Sequence, residues 1–520
     1  MQSRVCGWVA CVFLFARAAS AQNLLPPDPQ PTCTLTPQQF ATWFQSQKVT
    51  PNGLVNPADS LNFKGGSLCA FYQWSSQMFL WLNSPAYGTG GRVFDSPVFY
   101  DVEIVGKNRI LIPSTVGRIR NLAVRSAQVG SAGQRIKVDA NGQVSNVETG
   151  QAGGNGTLLS QQQSLVYYST HVNDVFAYML TGTKTTTLPP ISPALTTFPT
   201  TASQLQQITN FAQQQLNKQV FDPNALAMEL KISWVDASTV PNPQNYITMW
   251  AFVPTFDFST PPVNGVWPEG SPRKTLLAMV GMHVVGSVAG HPELIWATFE
   301  HVSNAPNGPY SYTNTKGQII TVPQNTQGNW LFCANGATGA LNQETLTTVS
   351  AKSGPPPTPA GISPVPSTAT TAVPSNTIRS FPWGGAQGNA GVQNNTEIIA
   401  LNNAIISMLG SSDVRTNYVH VGSVWTQGAI PPGGTSQPNP PVNPPLPPTV
   451  VPPAAQSIGS VLLSNATMET YHQVIDDPTP PDYSPEFGFN CFNCHNTGNK
   501  GSAGNISSLS HIWSSLQPLK

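Results

Sequence analysis

Charged residues are scarce in this chain. Only 9% of its 520 residues are Asp, Glu, Lys or Arg, and 23 acidic residues balance 23 basic ones to a formal net charge of zero. Ordinary soluble domains carry about 25% charged residues. Without a basic field, the chain has little with which to hold nucleic acid or an anionic membrane surface. We therefore expect an exterior of Gln, Asn, Ser and Thr side chains and no nucleic-acid partner.

Long apolar runs are absent beyond the N-terminus, so we expect no transmembrane segment. The first residues, MQSRVCGWVACVFLFARAASAQ, place Arg4 before an apolar stretch over 5–15 and then the small residues Ala19-Ser20-Ala21. This order is typical of a secretory signal peptide, and the stretch is shorter than the ~20 residues that a membrane-spanning helix needs. The sequence predicts export, to the periplasm or outside the cell, with cleavage after Ala21.

Periodicity predicts few helices among many strands. Apolar positions at helical spacing predict helices over 67–83 and about 202–217, the second with Thr201 and Gln204 at capping-box spacing. Strands are predicted at 98–105, 134–148, 229–235, 246–254, 274–288 and 293–302. The last two form an antiparallel hairpin. The fold class predicted is α+β, a large, mainly antiparallel β domain with a few helices.

Two of these strands have informative faces. In ELKISWV (229–235), apolar residues alternate with Glu229, Lys231 and Ser233, so that the second face is expected to be wet. In YITMWAFVP (246–254), both faces are apolar, which is typical of a central strand.

Proline-rich stretches interrupt the second half of the chain. Residues 352–378 and 431–453 are predicted to be extended spacers, and a helix is predicted between them, ending before Gly410. The predicted organisation is a signal peptide at 1–21, an N-terminal helical segment at 22–89, the α+β domain at 90–345, linkers flanking one helix (395–409) at 346–456, and a small C-terminal module at 457–520.

That module contains the sequence GFNCFNCHNTG, in which Cys491 and Cys494 are three positions apart and His495 follows at once. Two thiols at this spacing add to the two vinyl groups of a haem, and the adjacent imidazole reaches the iron. Cys-x-x-Cys-His is therefore the attachment signature of haem c. The sequence predicts one covalent haem c, held by Cys491 and Cys494, with His495 as the proximal iron ligand.

Other uses of these residues have less support. A structural zinc site needs four ligands, and only His511 follows the motif, without a second cysteine pair. A redox dithiol normally opens a helix near a βαβ unit, whereas here a proline-rich loop precedes the motif. A plain disulfide leaves the histidine unexplained.

The cysteines outside the motif allow one disulfide. After loss of the signal peptide, three remain besides the motif pair, namely Cys33, Cys69 and Cys333. Export permits a disulfide, and Cys33 with Cys69 is the expected pair because they are nearest in sequence.

The second axial ligand has two candidates. Met or His is the usual second ligand of an electron-transfer haem, and no methionine follows Met468. A predicted C-terminal helix has one apolar face, made of Ile506, Leu509, Trp513 and Leu516. His511 points away from that face, so Met468, one turn before His472, ranks above His511. Core packing of Met468 and a five-coordinate iron remain alternatives.

Histidines on the hairpin suggest a rival metal site, made of His283, His291, Glu300 and His301. If paired residue numbers sum to about 581, His283 faces Thr298, and the pair formed by His301 lies three residues, about 10 Å, away. That distance is too long for one ion. We interpret these side chains as core residues, or as lining a pocket near the haem.

At CFNCH, the C-terminal region resembles a monohaem c-type cytochrome. The resemblance implies that Cys491 and Cys494 are thioether attachment points and that His495 is the proximal ligand. The motif lies close to the C-terminus and has no downstream methionine, which departs from the common small cytochromes. Together with LIWATFEHVSNAP and NATMETYHQ, it also resembles large exported bacterial cytochrome-c-like proteins. That wider resemblance spans most of the chain and implies an architecture.

Three functions remain open at this stage. The first is single-electron transfer through the haem to a redox partner protein, with association that depends weakly on salt because the chain is neutral. The second is an oxidoreductase whose large domain binds a small-molecule substrate; the sequence has no dinucleotide fingerprint and no convincing nucleophile triad. The third is a secreted binding protein with a structural haem.

Overall fold

The computed structural model of the protein describes residues 24–86, 91–105, 108–115, 118–122, 156–349, 360–386, 388–428, 456–473, 491–495 and 506–520. Its helices are α1 (Pro37–Trp43), α2 (Leu68–Leu82), α3 (Asp174–Lys184), α4 (Ala202–Leu216), α5 (Asn389–Leu409), α6 (Cys491–Cys494) and α7 (Ile506–Leu509). The predicted signal peptide and the strand predicted at 134–148 lie outside the described residues.

Strands outnumber helices. They are β1 (Phe99–Val105), β2 (Asn108–Pro113), β3 (Arg120–Asn121), β4 (Tyr167–Asn173), β5 (Met228–Asp236), β6 (Thr248–Thr255), β7 (Trp267–Pro268), β8 (Gly270–Val288), β9 (His291–His301), β10 (Tyr310–Thr313), β11 (Ile319–Val322), β12 (Leu346–Val349), β13 (Gly361–Pro364), β14 (Tyr418–Thr426) and β15 (Ser457–Gly459).

The largest sheet has the order β15-β14-β9-β8-β5-β4-β1-β2, with β6 pairing beside β8 and β3 pairing with β6. Of its described pairings, only β3–β6 is parallel. The predicted α+β class with a mainly antiparallel sheet is confirmed. In the described part of the chain, no helix combines the length and apolarity needed to span a membrane.

The two longest predicted helices of the first half are confirmed. The side chain of Ser67 accepts from the amide of Ala70 at the start of α2. At the start of α4, Thr201 and Gln204 form the predicted capping box. These caps satisfy amides that have no partner inside the helix.

The predicted hairpin is also confirmed. β8 and β9 are antiparallel, and His283 pairs with Thr298, in the register that was expected. Cys33 and Cys69 form the predicted disulfide, with an S–S distance of 2.03 Å. Cys333 is buried, and burial raises the pKa of its thiol to about 11.

One face of the sheet packs on helices. Phe79 of α2 stacks on Phe299 of β9 with ring centroids 4.2 Å apart, and Phe71 stacks on Trp425 of β14 at 3.9 Å. Because side chains alternate along a strand, Thr298, next to Phe299, lies on the opposite face. That second face carries the polar residues of β5.

The expectation that this second face is wet was wrong. Ser233 is fully buried, and the side chains of Glu229 and Lys231 are partly buried. The cover comes from far along the chain: the hydroxyl oxygen of Ser233 is 2.7 Å from that of Thr467, and Ser510 donates to Glu229 at 2.6 Å. C-terminal residues therefore cover the face of β5 that the alternation of polar and apolar residues predicted to be exposed to solvent.

The strand predicted at 246–254 is β6, which has a neighbour on both sides: β8 on one and, among the described residues, β3 on the other. The expectation of two apolar, buried faces was wrong, because exposed residues alternate with buried ones at the start of β6. Trp250 is 50% exposed, and the Nζ of Lys274 lies 5.1 Å from its ring centroid. A cation over the indole face accounts for an aromatic side chain in a solvent-facing position.

The proline-rich segment 352–378 differs from the expected spacer over β13, whereas most of the residues at 365–374 are exposed and irregular. β13 is buried and pairs with β12 and β7. The helix predicted at 395–409 is confirmed as α5, which begins earlier, at Asn389, and ends before Gly410. Ladder hydrogen bonds and burial thus override the preference of proline for an isolated extended chain.

The C-terminal residues join the rest of the fold. β15 extends the main sheet beside β14, and Leu516 bridges Arg109 of β2. Apolar residues of this region belong to the same buried cluster as the helices and the sheet: Phe492, Ile506, Leu509, Ile512, Trp513 and Leu516.

Candidate functional site

The Cys-x-x-Cys-His motif forms a single helical turn. α6 spans Cys491–Cys494, and the amide of His495 donates to the carbonyl oxygen of Cys491 at 2.9 Å. Phe492 is buried and Cys491 is partly buried. The side chain of Cys494 lies outside the described part of the chain. The turn fixes His495 at the end of the motif.

The imidazole of His495 has a defined tautomer. Its Nδ1 lies 2.7 Å from the carbonyl oxygen of Leu509. A carbonyl oxygen only accepts, so Nδ1 carries the proton and Nε2 keeps its lone pair. A neutral imidazole with Nδ1–H bound to a carbonyl is the form in which histidine binds a metal through Nε2. Burial, together with the neighbouring His511, holds the pKa of His495 well below its ordinary value, so the ring is neutral.

Aromatic rings enclose this imidazole. The His511 ring is stacked on it, with centroids 3.9 Å apart and planes inclined by 9°. The Trp296 ring of β9 lies 4.2 Å away and is tilted by 46°. Phe492 meets Trp296 edge to face at 6.0 Å. These contacts restrict the ring plane of His495.

The segment that provides Leu509 and His511 is anchored to the main sheet and its helices. Ser510 donates to Glu229, and the Nζ of Lys184 donates to the carbonyl oxygens of Ser514 and Leu516, both at 3.0 Å. Trp513 packs against Phe176 of α3 with centroids 5.5 Å apart.

The predicted C-terminal helix is shorter than expected. α7 ends at Leu509, and residues 511–515 form a turn. The four residues of its expected apolar face are all buried, but the helical wheel does not apply to His511, which lies beyond the helix. The ring of His511 stacks on that of His495.

Met468 lies in a second segment on the same face of the sheet. It is fully buried. Next to it, the amide of Ala466 donates to Glu300 at 2.8 Å, and the side-chain amide of Asn465 donates to Thr298 at 2.8 Å. The side chain of His472 lies outside the described residues. The ranking of Met468 above His511 as second axial ligand stays a prediction.

The hairpin histidines have separate partners. His283 lies between Thr298 and Glu469, with its ring nitrogens 2.9 Å from an oxygen of each. His291 pairs with Glu293 at 2.8 Å, and His301 with Ser303 at 2.7 Å. Across the described ranges, no three side chains of His, Cys, Asp or Glu are grouped so as to hold a metal ion.

On this face of the sheet, neighbouring side chains change the pKa of Glu469. Burial alone raises the pKa of a carboxyl group, but His283 and Lys231 lower the pKa of Glu469 below its ordinary value. Glu469 is therefore an ionised acceptor, and its other carboxylate oxygen receives the amide of Asn465 at 2.8 Å. The contact between His283 and Glu469 fixes the segment around Met468 on β8.

Several site residues were not anticipated from the sequence. The hairpin register puts Trp296 opposite Val285, on the same face as His283, so its place could have been found. Glu469 contacts β8, and Ser510 contacts β5, from more than 180 residues away in the sequence. Leu509 contacts His495 across a gap in the described chain. No pattern in the neighbouring sequence predicts these contacts.

The described residues fit the chemistry of a covalent haem. A helical turn carries the thiol of Cys491, His495 has its Nε2 lone pair available, and Trp296 with Phe492 provides an apolar aromatic surface beside it. No family model, curated protein or solved structure matches the chain.

Proposed function

We propose that this protein is an exported c-type cytochrome-like electron carrier with one haem c. Cys491 and Cys494 would hold the haem by thioether bonds. In each bond the thiol adds across a vinyl double bond, its sulfur to one carbon and its hydrogen to the other, and no oxidant is consumed. His495 would bind the iron through Nε2. Residues 1–21 would direct export and be removed after Ala21.

The hydrogen bond from Nδ1 of His495 to the carbonyl oxygen of Leu509 carries this proposal. A histidine in a plain disulfide loop needs no fixed tautomer, whereas an iron ligand does. This hydrogen bond, 2.7 Å long, also increases the basicity of Nε2, because the carbonyl oxygen partly attracts the proton on Nδ1. Burial keeps the ring neutral, as ligation requires.

A bound haem supplies a one-electron couple at the iron. The chain's own contribution is to orient His495 and to place it in an environment that is partly apolar and partly charged. Trp296 and Phe492 exclude water on one side, and Lys231 and the His283–Glu469 pair provide nearby charge. Such surroundings tune a reduction potential. The partner we propose is a redox protein that docks with little electrostatic steering.

The test is covalent haem on the full chain, produced in a host with c-type maturation. We expect stoichiometric haem that stays with the protein on a denaturing gel and gives a pyridine haemochrome spectrum. The variant Cys491→Ser/Cys494→Ser should lose it. Cys333→Ala is the matched control, because Cys333 is a buried cysteine outside the Cys-x-x-Cys-His sequence, and this variant should keep its haem.

Two outcomes would contradict the proposal. Haem-free wild-type protein with a Cys491–Cys494 disulfide or bound zinc would leave a β-rich binding protein. Haem that is retained without a reversible redox couple would leave a structural role for the group.

A further inference from the structure

The ring of His511 lies face to face with that of His495, with centroids 3.9 Å apart and planes inclined by 9°. This contact bears on how an iron at Nε2 of His495 is coordinated. The inference drawn from it rests on the proposed function.

An imidazole binds a metal in its own ring plane, along the lone pair of Nε2. A metal held by His495 would lie on that axis, about 2 Å from Nε2. A ring stacked on the face of His495 is displaced perpendicular to that plane. His511 therefore lies beside the imidazole of His495 and off the axis on which His495 would hold an iron.

The chain holds His511 in this place through its neighbours. Leu509, two residues before it, accepts from Nδ1 of His495. Ser510, directly before it, donates to Glu229 of β5 at 2.6 Å. Moving His511 to the far side of the iron would break both hydrogen bonds as well as the ring contact.

We infer that His511 is a positioning residue for the iron ligand and not a second ligand. With Trp296 on another side, at 4.2 Å, it clamps the imidazole of His495 and sets the angle of its plane. Ring orientation controls overlap between the imidazole and the iron, so the clamp acts on the ligand field. The second axial position is left to another group, for which Met468 is the remaining candidate.

Two variants separate positioning from ligation. His511→Phe keeps a flat ring that stacks but has no atom to bind iron, and His511→Ala removes the ring. In the holoprotein we expect His511→Phe to keep the wild-type electron paramagnetic resonance spectrum and reduction potential. His511→Ala should broaden the spectrum and shift the potential, because His495 can then rotate.

A third variant guards against misfolding. Glu229→Gln weakens the bond from Ser510 and so loosens the segment that holds His511, while the His511 ring itself is retained. It should shift the potential in the same direction as His511→Ala, but by less. Circular dichroism would establish that all three variants are folded.

The opposite result is equally clear. A bis-histidine spectrum in the wild type, lost to the same extent in His511→Phe and His511→Ala, would make His511 the second ligand and overturn the inference while the proposed function stands. Wild-type protein without covalent haem would overturn both.

Discussion

The hydroxyl oxygens of Ser233 and Thr467 lie 2.7 Å apart, although 234 residues separate them in the chain. Between β5 and this segment lies Gly281 of β8, where an added Cβ would be 2.6 Å from Oγ1 of Thr467 and 2.7 Å from Oγ of Ser233. The segment over 465–469 therefore packs on the sheet at Gly281, where β8 has no side chain.

Gly281→Ala should weaken the packing of residues 465–469 on the sheet. The methyl group would push Thr467 away from Ser233, and overpacking of this kind costs about 1–3 kcal/mol. We expect a lower urea midpoint and faster proteolysis within 465–473. In Gly339→Ala, the matched control, the Cβ meets nothing within 4 Å, and stability should stay within about 0.5 kcal/mol. Equal stabilities of the two variants would show that the segment is not held by this contact.

A buried ion pair supports the same segment. Nε of Arg379 donates to Glu300 at 3.1 Å, and the other carboxylate oxygen of Glu300 accepts from the amide of Ala466. Both side chains are buried. Because Arg379→Met would leave the carboxylate of Glu300 buried without its cation, we expect a loss of about 3–5 kcal/mol in the free energy of unfolding.

An exposed pair provides the control. Arg273 is 64% exposed and lies 2.8 Å from Asp236. Water screens such a pair, so Arg273→Met should change the free energy of unfolding by about 1 kcal/mol or less. If urea titrations gave the two methionine variants the same stability, the buried pair would contribute no more to folding than the exposed one.

The disulfide between Cys33 and Cys69 closes a loop of 36 residues. In the chain-entropy treatment, a loop of this length stabilises the folded state by about 3–4 kcal/mol. We expect a reductant to lower the Tm of the wild type. The variant Cys33→Ala/Cys69→Ala should begin at the lower Tm and be insensitive to reductant. A reductant effect that persists in this variant would point to another disulfide.

Local patterns in the sequence were sufficient where neighbouring residues decide the structure. The caps at Ser67 and Thr201 lie within three residues of the amides that they satisfy. The β8–β9 register follows from a tight turn and from alternation, so the pairing of His283 with Thr298 could be predicted. Such features depend on contacts between residues that are close in sequence.

Contacts between distant segments could not be predicted in this way. Glu229 and Lys231 alternate with core residues, as in a solvent-facing strand, and nothing near them indicates that Ser510 or Thr467 will cover that face. The same limit applies to His511. Its place against His495 depends on where α7 ends, and the carbonyl oxygens after α7 are bound by Lys184 from another part of the chain.

The buried carboxyl group of Asp174, in α3, should make the stability of the fold depend on pH. Asp174 is the first residue of α3, and its carboxylate oxygens accept from the amides of Val175 at 2.8 Å and Phe221 at 2.7 Å. Burial raises the pKa of Asp174 to about 7, an effect that these hydrogen bonds only partly offset. In the unfolded chain the pKa is about 3.9.

The folded state therefore binds more protons than the unfolded state between these two values. The stabilisation is fully present below about pH 4 and is lost as the pH rises through about 7, to an extent on the order of 4 kcal/mol. Asp174→Asn removes the titration. We expect the variant to gain stability relative to the wild type as the pH is raised from about 5 to about 8, as measured by urea unfolding at each pH. Asp59→Asn, at an exposed position, is the control and should track the wild type. A constant difference between Asp174→Asn and the wild type across this range would mean that Asp174 is already ionised at low pH and that its two amide bonds outweigh burial.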